Sequence, residues 1–101
     1  MTFYKVTRSK SSTVVEVKGH ADYDDKGYEI VCAGISIATL MTANLIDRLN
    51  YKLTVLDLIA EDGYFRLEVK NNDRVLNEIV NNLEDTLDDL WEQYPRYIKK
   101  N

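Results

Sequence analysis

A stripe of apolar side chains at helical spacing runs through Leu76, Ile79, Val80, Leu83, Leu87, Leu90, Trp91 and Tyr94. Asn77, Glu78, Asn81, Asn82, Glu84, Asp85, Asp88 and Asp89 occupy the opposite face. A helix with one dry face and one wet face must lay the dry face on a partner surface. Asp73 precedes the stripe and is suited to cap it. Pro95 follows it and stops it.

The partner surface is read from segments with strand character. Phe3 to Arg8 alternates, the Ser9-Lys10-Ser11-Ser12 run is a polar turn, and Thr13 to Lys18 is a second strand. Lys52 to Ala60 and Tyr64 to Lys70 form another pair around Glu61-Asp62-Gly63. Both pairs read as hairpins. In the latter strand Phe65, Leu67 and Val69 face one side while Arg66, Glu68 and Lys70 face the other.

Between the hairpins, about Glu29 to Asn50 reads as a helix. Its apolar face is expected on Ile30, Ala33, Gly34, Ile37, Ala38, Met41, Leu45 and Leu49, with further apolar residues at Ile35, Leu40, Ala43 and Ile46. So wide an apolar surface predicts burial on more than one side, the second side facing a partner subunit. The order is ββαββα: one α/β domain of the α+β type spanning residues 1–101, with two helices on an antiparallel sheet.

The 101 residues carry a formal net charge of -4. That excludes nonspecific nucleic-acid binding, which needs cationic surface, and favours a basic protein or peptide partner. The opening MTFYKVTRSKSS has no signal-peptide h-region. Ile30 to Ile46 contains Ser, Thr and Asn and reads as too short and polar for a membrane span. A cytoplasmic protein is expected, in which the single cysteine, Cys32, stays reduced.

That cysteine and the single histidine, His20, flank one polar loop from Ala21 to Tyr28. A cysteine near a helix start has its thiolate favoured by the helix dipole. An imidazole beside it takes the thiol proton and returns it to a leaving amine. Nearby N–H groups hold an oxyanion. Asp22, Asp24, Asp25 and Glu29 oppose the thiolate but raise the histidine pKa and attract a basic substrate. A lone Cys between Val31 and Ala33 is also what a buried apolar position looks like. Ser36, one turn after Cys32, shares its face, or simply bonds back to a helix carbonyl. No Gly-rich phosphate loop and no zinc-ligand spacing occurs, so no metal or cofactor is expected.

The segment GHADYDDKGYEIVCAGIS, with Gly19-His20-Ala21 and Ile30-Val31-Cys32-Ala33 through Ser36, closely resembles the signature of the ribosomal-processing cysteine protease (Prp) family. Chain length, both hairpins and the Glu92 to Pro95 ending also look like that family. The resemblance implies a cysteine endopeptidase that removes an N-terminal extension from a large-subunit ribosomal protein precursor. The cut falls after an apolar, Phe-ending motif and before a small residue that leads a basic segment. It implies a homodimer. By the same resemblance Cys32 is the nucleophile and His20 the base, with Ser36 assisting. Gly19 turns the strand end, and Asp22, Tyr23, Asp24, Asp25, Gly27 and Tyr28 belong to a loop covering the substrate. Glu29 departs from the family's usual Asp, which is the better N-cap. The competing readings are a noncatalytic ribosome-assembly or peptide-binding homodimer, and a structural interaction protein.

Overall fold

A computed structural model describes residues 1–19, 26–50 and 55–101 of the chain. The elements are β1 (Thr2–Arg8), β2 (Ser12–Lys18), α1 (Lys26–Arg48), β3 (Val55–Glu61), β4 (Tyr64–Lys70), α2 (Arg74–Gln93) and β5 (Ile98–Lys100). The strands form one sheet in the order β3-β4-β2-β1-β5.

Both expected hairpins are present. β1 pairs antiparallel with β2, β3 pairs antiparallel with β4, and the two join through an antiparallel β2–β4 contact. The sheet is nevertheless mixed. β5 lies parallel to β1, from Thr2↔Ile98 to Tyr4↔Lys100, and corrects the expected ββαββα antiparallel sheet. Three residues after Pro95 are too few to show strand alternation. β5 exists because β1 offers a free edge and Ile98, fully buried, anchors the segment in the core.

Both helices contribute to one core with the sheet. Tyr4, Val15, Val17, Phe65, Leu67 and Val69 supply the sheet side, Leu76, Ile79, Val80, Leu83 and Leu87 the α2 side. The α2 stripe is thus buried from Leu76 to Leu87, with Leu90 and Tyr94 partly buried against the core, while Trp91, expected on the same stripe, lies exposed at the far end of the helix. Asp73 caps it through a 3.0 Å bond from the Leu76 N–H. The wet face is not wholly solvated: Arg8 reaches Glu84 at 2.7 Å, and Lys100 reaches Glu84 and Asp88 at 3.1 Å each. Tyr4 donates its hydroxyl to Asp88 inside the same cluster.

The buried stripe of α1 differs from the expected one. Tyr28, Val31, Thr42 and Ile46 are buried, with Ile35 and Ala38 packed beside the core. Ile30, Ile37, Leu40, Met41, Leu45 and Leu49 lie exposed. The helix carries two apolar stripes, and periodicity does not say which one meets the sheet. Gly34 brings α1 close to α2: a Cβ there would lie 3.5 Å from the Leu90 side chain. The segment Gly27–Arg48, with mean hydropathy 1.7, is long and apolar enough to cross a membrane, unlike the shorter run read from the sequence. Here it is one layer of a two-layer domain.

Candidate active site

Gly19 ends β2 with φ +146°, a conformation that L side chains rarely adopt. A Cβ there would lie 2.6 Å from the Met1 carbonyl oxygen and 2.7 Å from Thr2 Cα. Its N–H donates to the Gly63 carbonyl at 3.0 Å. The strand end is therefore clamped between the start of β1 and the β3–β4 turn. His20 follows it directly in the chain. His20, Ala21, Asp22, Tyr23, Asp24 and Asp25 lie outside the described residues, as do residues 51–54.

α1 begins at Lys26, ahead of the expected start near Glu29. Gly27 and Tyr28, read as loop, belong to its first turn. The C-terminal segment overrides the local loop signals. Tyr97 lies so close that a Cβ on Gly27 would meet its ring at 2.5 Å, and only a glycine admits that approach. Tyr28 packs edge-on against the same ring, with centroids 6.0 Å apart. Tyr28 is buried rather than part of a cover, and its hydroxyl lies 2.7 Å from Thr2 Oγ1.

The earlier helix start moves Cys32 into the second turn of α1. The unpaired N–H groups of a helix belong to its first turn, and the dipole field fades beyond it. The amide of Cys32 is thus inside the helical ladder. Burial has the largest effect on the half-buried thiol and pushes its pKa up. A hydrogen bond with Tyr28 pulls it down, as does the Met1 ammonium group, while Asp62 pushes it up. The expectation of a helix terminus activating the sulfur does not describe this geometry.

Cys32 opens onto a cavity of about 250 Å³. Ile35, Ser36 and Thr39 line it from α1, Glu61 from the end of β3, Asp62 and Gly63 from the β3–β4 turn, Thr2, Val17, Tyr64 and Phe65 from the other strands, and Gly19 from just past β2. Gly19, Cys32 and Ser36 are thus brought together, as the shared-face reading of Ser36 requires. Glu29 sits exposed in the first turn of α1 and does not line the cavity. The sequence reading missed Thr2, Glu61 and Asp62. Glu61-Asp62-Gly63 was legible as a turn, but not as a cavity wall, because pairing of β4 with β2 is a long-range contact. Among the described residues, no group of three His, Cys, Asp or Glu side chains is placed to hold a metal ion.

The sequence model of the cysteine protease Prp family matches residues 1–99. The chain belongs to this family. As a Prp-family protein it is a cysteine protease. The fold is similar to that of the essential ribosomal processing protease Prp from S. aureus, solved in complex with a substrate peptide. That match has a TM-score of 0.84 and 26% identity and covers 100% of this chain and 98% of the other. The S. aureus protease with a covalently linked product peptide matches with a TM-score of 0.81 and 27% identity, over 100% and 98% of the two chains. SMU.848 from Streptococcus mutans, at 24% identity and TM-score 0.78, covering 100% of this chain and 92% of its own, shares the fold. No curated relative matches the sequence.

Proposed function

We propose that this Prp-family protease removes an N-terminal extension from a large-subunit ribosomal protein precursor by acyl transfer on Cys32. The observation that carries the reading is the sole cysteine of a Prp-family chain opening onto a solvent-reached cavity between α1 and the β3–β4 turn. His20 takes the thiol proton, Cys32 Sγ attacks the scissile carbonyl, and the proton passes to the leaving amine. Water then hydrolyses the thioester. His20 follows Gly19, a wall residue of that cavity, which supports its pairing with the sulfur.

The apolar, Phe-ending side of the cut fits the hydrocarbon part of the groove, Val17, Ile35 and Phe65. The basic side of the cut suits the Glu61–Asp62 rim and the net charge of -4. The functional unit is a homodimer in the cytoplasm, joined through the exposed stripe of α1. Neither metal nor cofactor takes part.

Incubation with a precursor-like peptide, followed by mass spectrometry, tests the reading. Wild type is expected to cut after the Phe, and Cys32→Ala and His20→Ala to lose cleavage while still folding. Binding without cleavage by wild type would favour the noncatalytic peptide-binding dimer, which the raised thiol pKa also suits.

A further inference from the structure

Tyr97 ends the turn 95–97 that leads from α2 into β5, and its backbone is held on both sides. Its N–H donates to the Tyr94 carbonyl at 3.0 Å, and its carbonyl accepts from the Thr2 N–H at 3.0 Å. Ile98, the next residue, is fully buried. The ring carried by this pinned backbone enters the first turn of α1. A Cβ on Gly27 would lie 2.5 Å from its Cε2 and 2.6 Å from its Cζ and hydroxyl oxygen. Tyr28 meets the same ring edge-on, and the Arg96 guanidinium lies 5.8 Å from its centre.

The carbonyl side of Tyr97 leads to the Cys32 cavity. Thr2, which that carbonyl holds, lines the cavity and stands so close to Gly19 that a Cβ there would lie 2.7 Å from Thr2 Cα. Thr2 Oγ1 also lies 2.7 Å from the Tyr28 hydroxyl. Residue 97 thus meets the start of α1 through its ring and the end of β2 through Thr2. In the chain, residues 20–25 run from one of these points, Gly19, to the other, Lys26. His20 leaves from the first point. Cys32 lies about one and a half helical turns beyond Gly27, next to the second.

We propose that Tyr97 is a positioning residue of the protease, which fixes the start of α1, and with it Cys32, against the end of β2 from which His20 extends. The inference rests on the reading of Cys32 and His20 as nucleophile and base, and adds what sets the spacing of the two elements that carry them. Neither Tyr97 nor Gly27 is among the described residues that line the cavity, so the effect reaches the sulfur through the helix. Acyl transfer is sensitive to such placement: a shift of about 1 Å from a change remote from the chemistry is able to lower the rate about a hundredfold. Val17, Ile35 and Phe65, the walls assigned to the apolar substrate segment, belong to strands and to a later turn of α1. Substrate affinity therefore depends less on the ring than turnover does.

The test is steady-state cleavage of the precursor-like peptide by the full chain, with folding followed by circular dichroism. Tyr97→Ala keeps both backbone bonds and removes the ring. Its kcat per folded molecule is expected to fall about tenfold or more, with KM within about twofold of wild type. Gly27→Ala drives a Cβ against the ring from the other side and is expected to lower kcat in the same way. The double variant is expected to lose no more than the worse single one, because the added Cβ no longer meets the ring. A role in packing alone would lower the melting temperature and leave kcat of the folded enzyme unchanged. A folded Tyr97→Ala with wild-type kcat therefore overturns the proposal, as does a change confined to KM or a double variant whose losses multiply. If Tyr97→Ala does not fold, a folded Gly27→Ala with wild-type kcat overturns it. Cleavage that persists in Cys32→Ala or His20→Ala instead overturns the reading on which the proposal rests, whatever Tyr97 and Gly27 show.

Discussion

Asp62 and Cys32 line one cavity from opposite walls, the hairpin turn and the helix. The carboxylate opposes ionisation of the thiol. Asp62→Asn should therefore lower the thiol pKa and speed alkylation at neutral pH a few-fold, the scale expected of one partly solvated charge. Cleavage of a substrate with a basic segment should suffer all the same, because the rim loses a negative charge. A rise in alkylation with a rise in KM is the expected signature, read from the two assays side by side. An unchanged alkylation rate would mean that Asp62 is screened from the sulfur. Gly19 makes a second prediction at this scale. Gly19→Ala forces a Cβ against backbone on two sides at a positive φ. A loss of about 2 kcal/mol in denaturant unfolding is expected. Gly19 and Cys32 were legible because a motif names them. Asp62 and Thr2 were not, since neither lies near that motif in sequence and only the sheet order brings them to it.

Elements differ in how openly the sequence declares them. α2 was readable because its apolar residues form one stripe and its cap, Asp73, and stop, Pro95, are local. α1 was readable as a helix but not in its bounds or facing. Its first turn is set by Tyr97, remote in sequence, and its two apolar stripes compete for one sheet. β5 was invisible, being short and defined only by its pairing with β1. The same segment helps pin α2 through charge. Arg8's hydrogen bond holds the Glu84 carboxyl below its usual range, and Lys100 adds to this against the opposing effect of burial. A carboxyl with a lowered folded pKa stabilises above the unfolded carboxylate pKa, and that contribution disappears as pH falls through the folded value. Wild type should therefore lose stability on acidification in a way that Glu84→Gln does not share. The variant should be weaker at neutral pH by about 1 kcal/mol, with the gap closing in acid. Parallel stability-versus-pH curves for the two proteins would exclude Glu84 as the coupled group. Within the core, Leu87→Ala should cost about 3 kcal/mol, since that side chain is fully buried between helix and sheet.

At the scale of the whole molecule, the domain leaves one half of its most apolar helix outside. Ile37, Leu40 and Met41 are 60%, 60% and 67% exposed. Ile37, Met41, Leu45 and Leu49 also line an open groove of about 1100 Å³ whose other wall is α2, with Val75 and Ile79. Contiguous apolar surface rimmed by Arg48, Arg74 and Glu78 is characteristic of a protein–protein contact. The proposed homodimer would place a second copy on this face. In that dimer a two-fold contact is self-complementary, so the stripe of one α1 would fill the groove of the other, and opposite charges at the rim would pair across the axis. Wild type is therefore expected to sediment as a dimer, and Met41→Lys, which places a charge in the centre of the stripe, as a monomer. The Cys32 cavity lies on residues of α1 distinct from the groove lining. Alkylation of Cys32 in the Met41→Lys monomer should therefore proceed at the wild-type rate. A wild-type chain that stays monomeric at every concentration tested would remove the second copy as the occupant of this face.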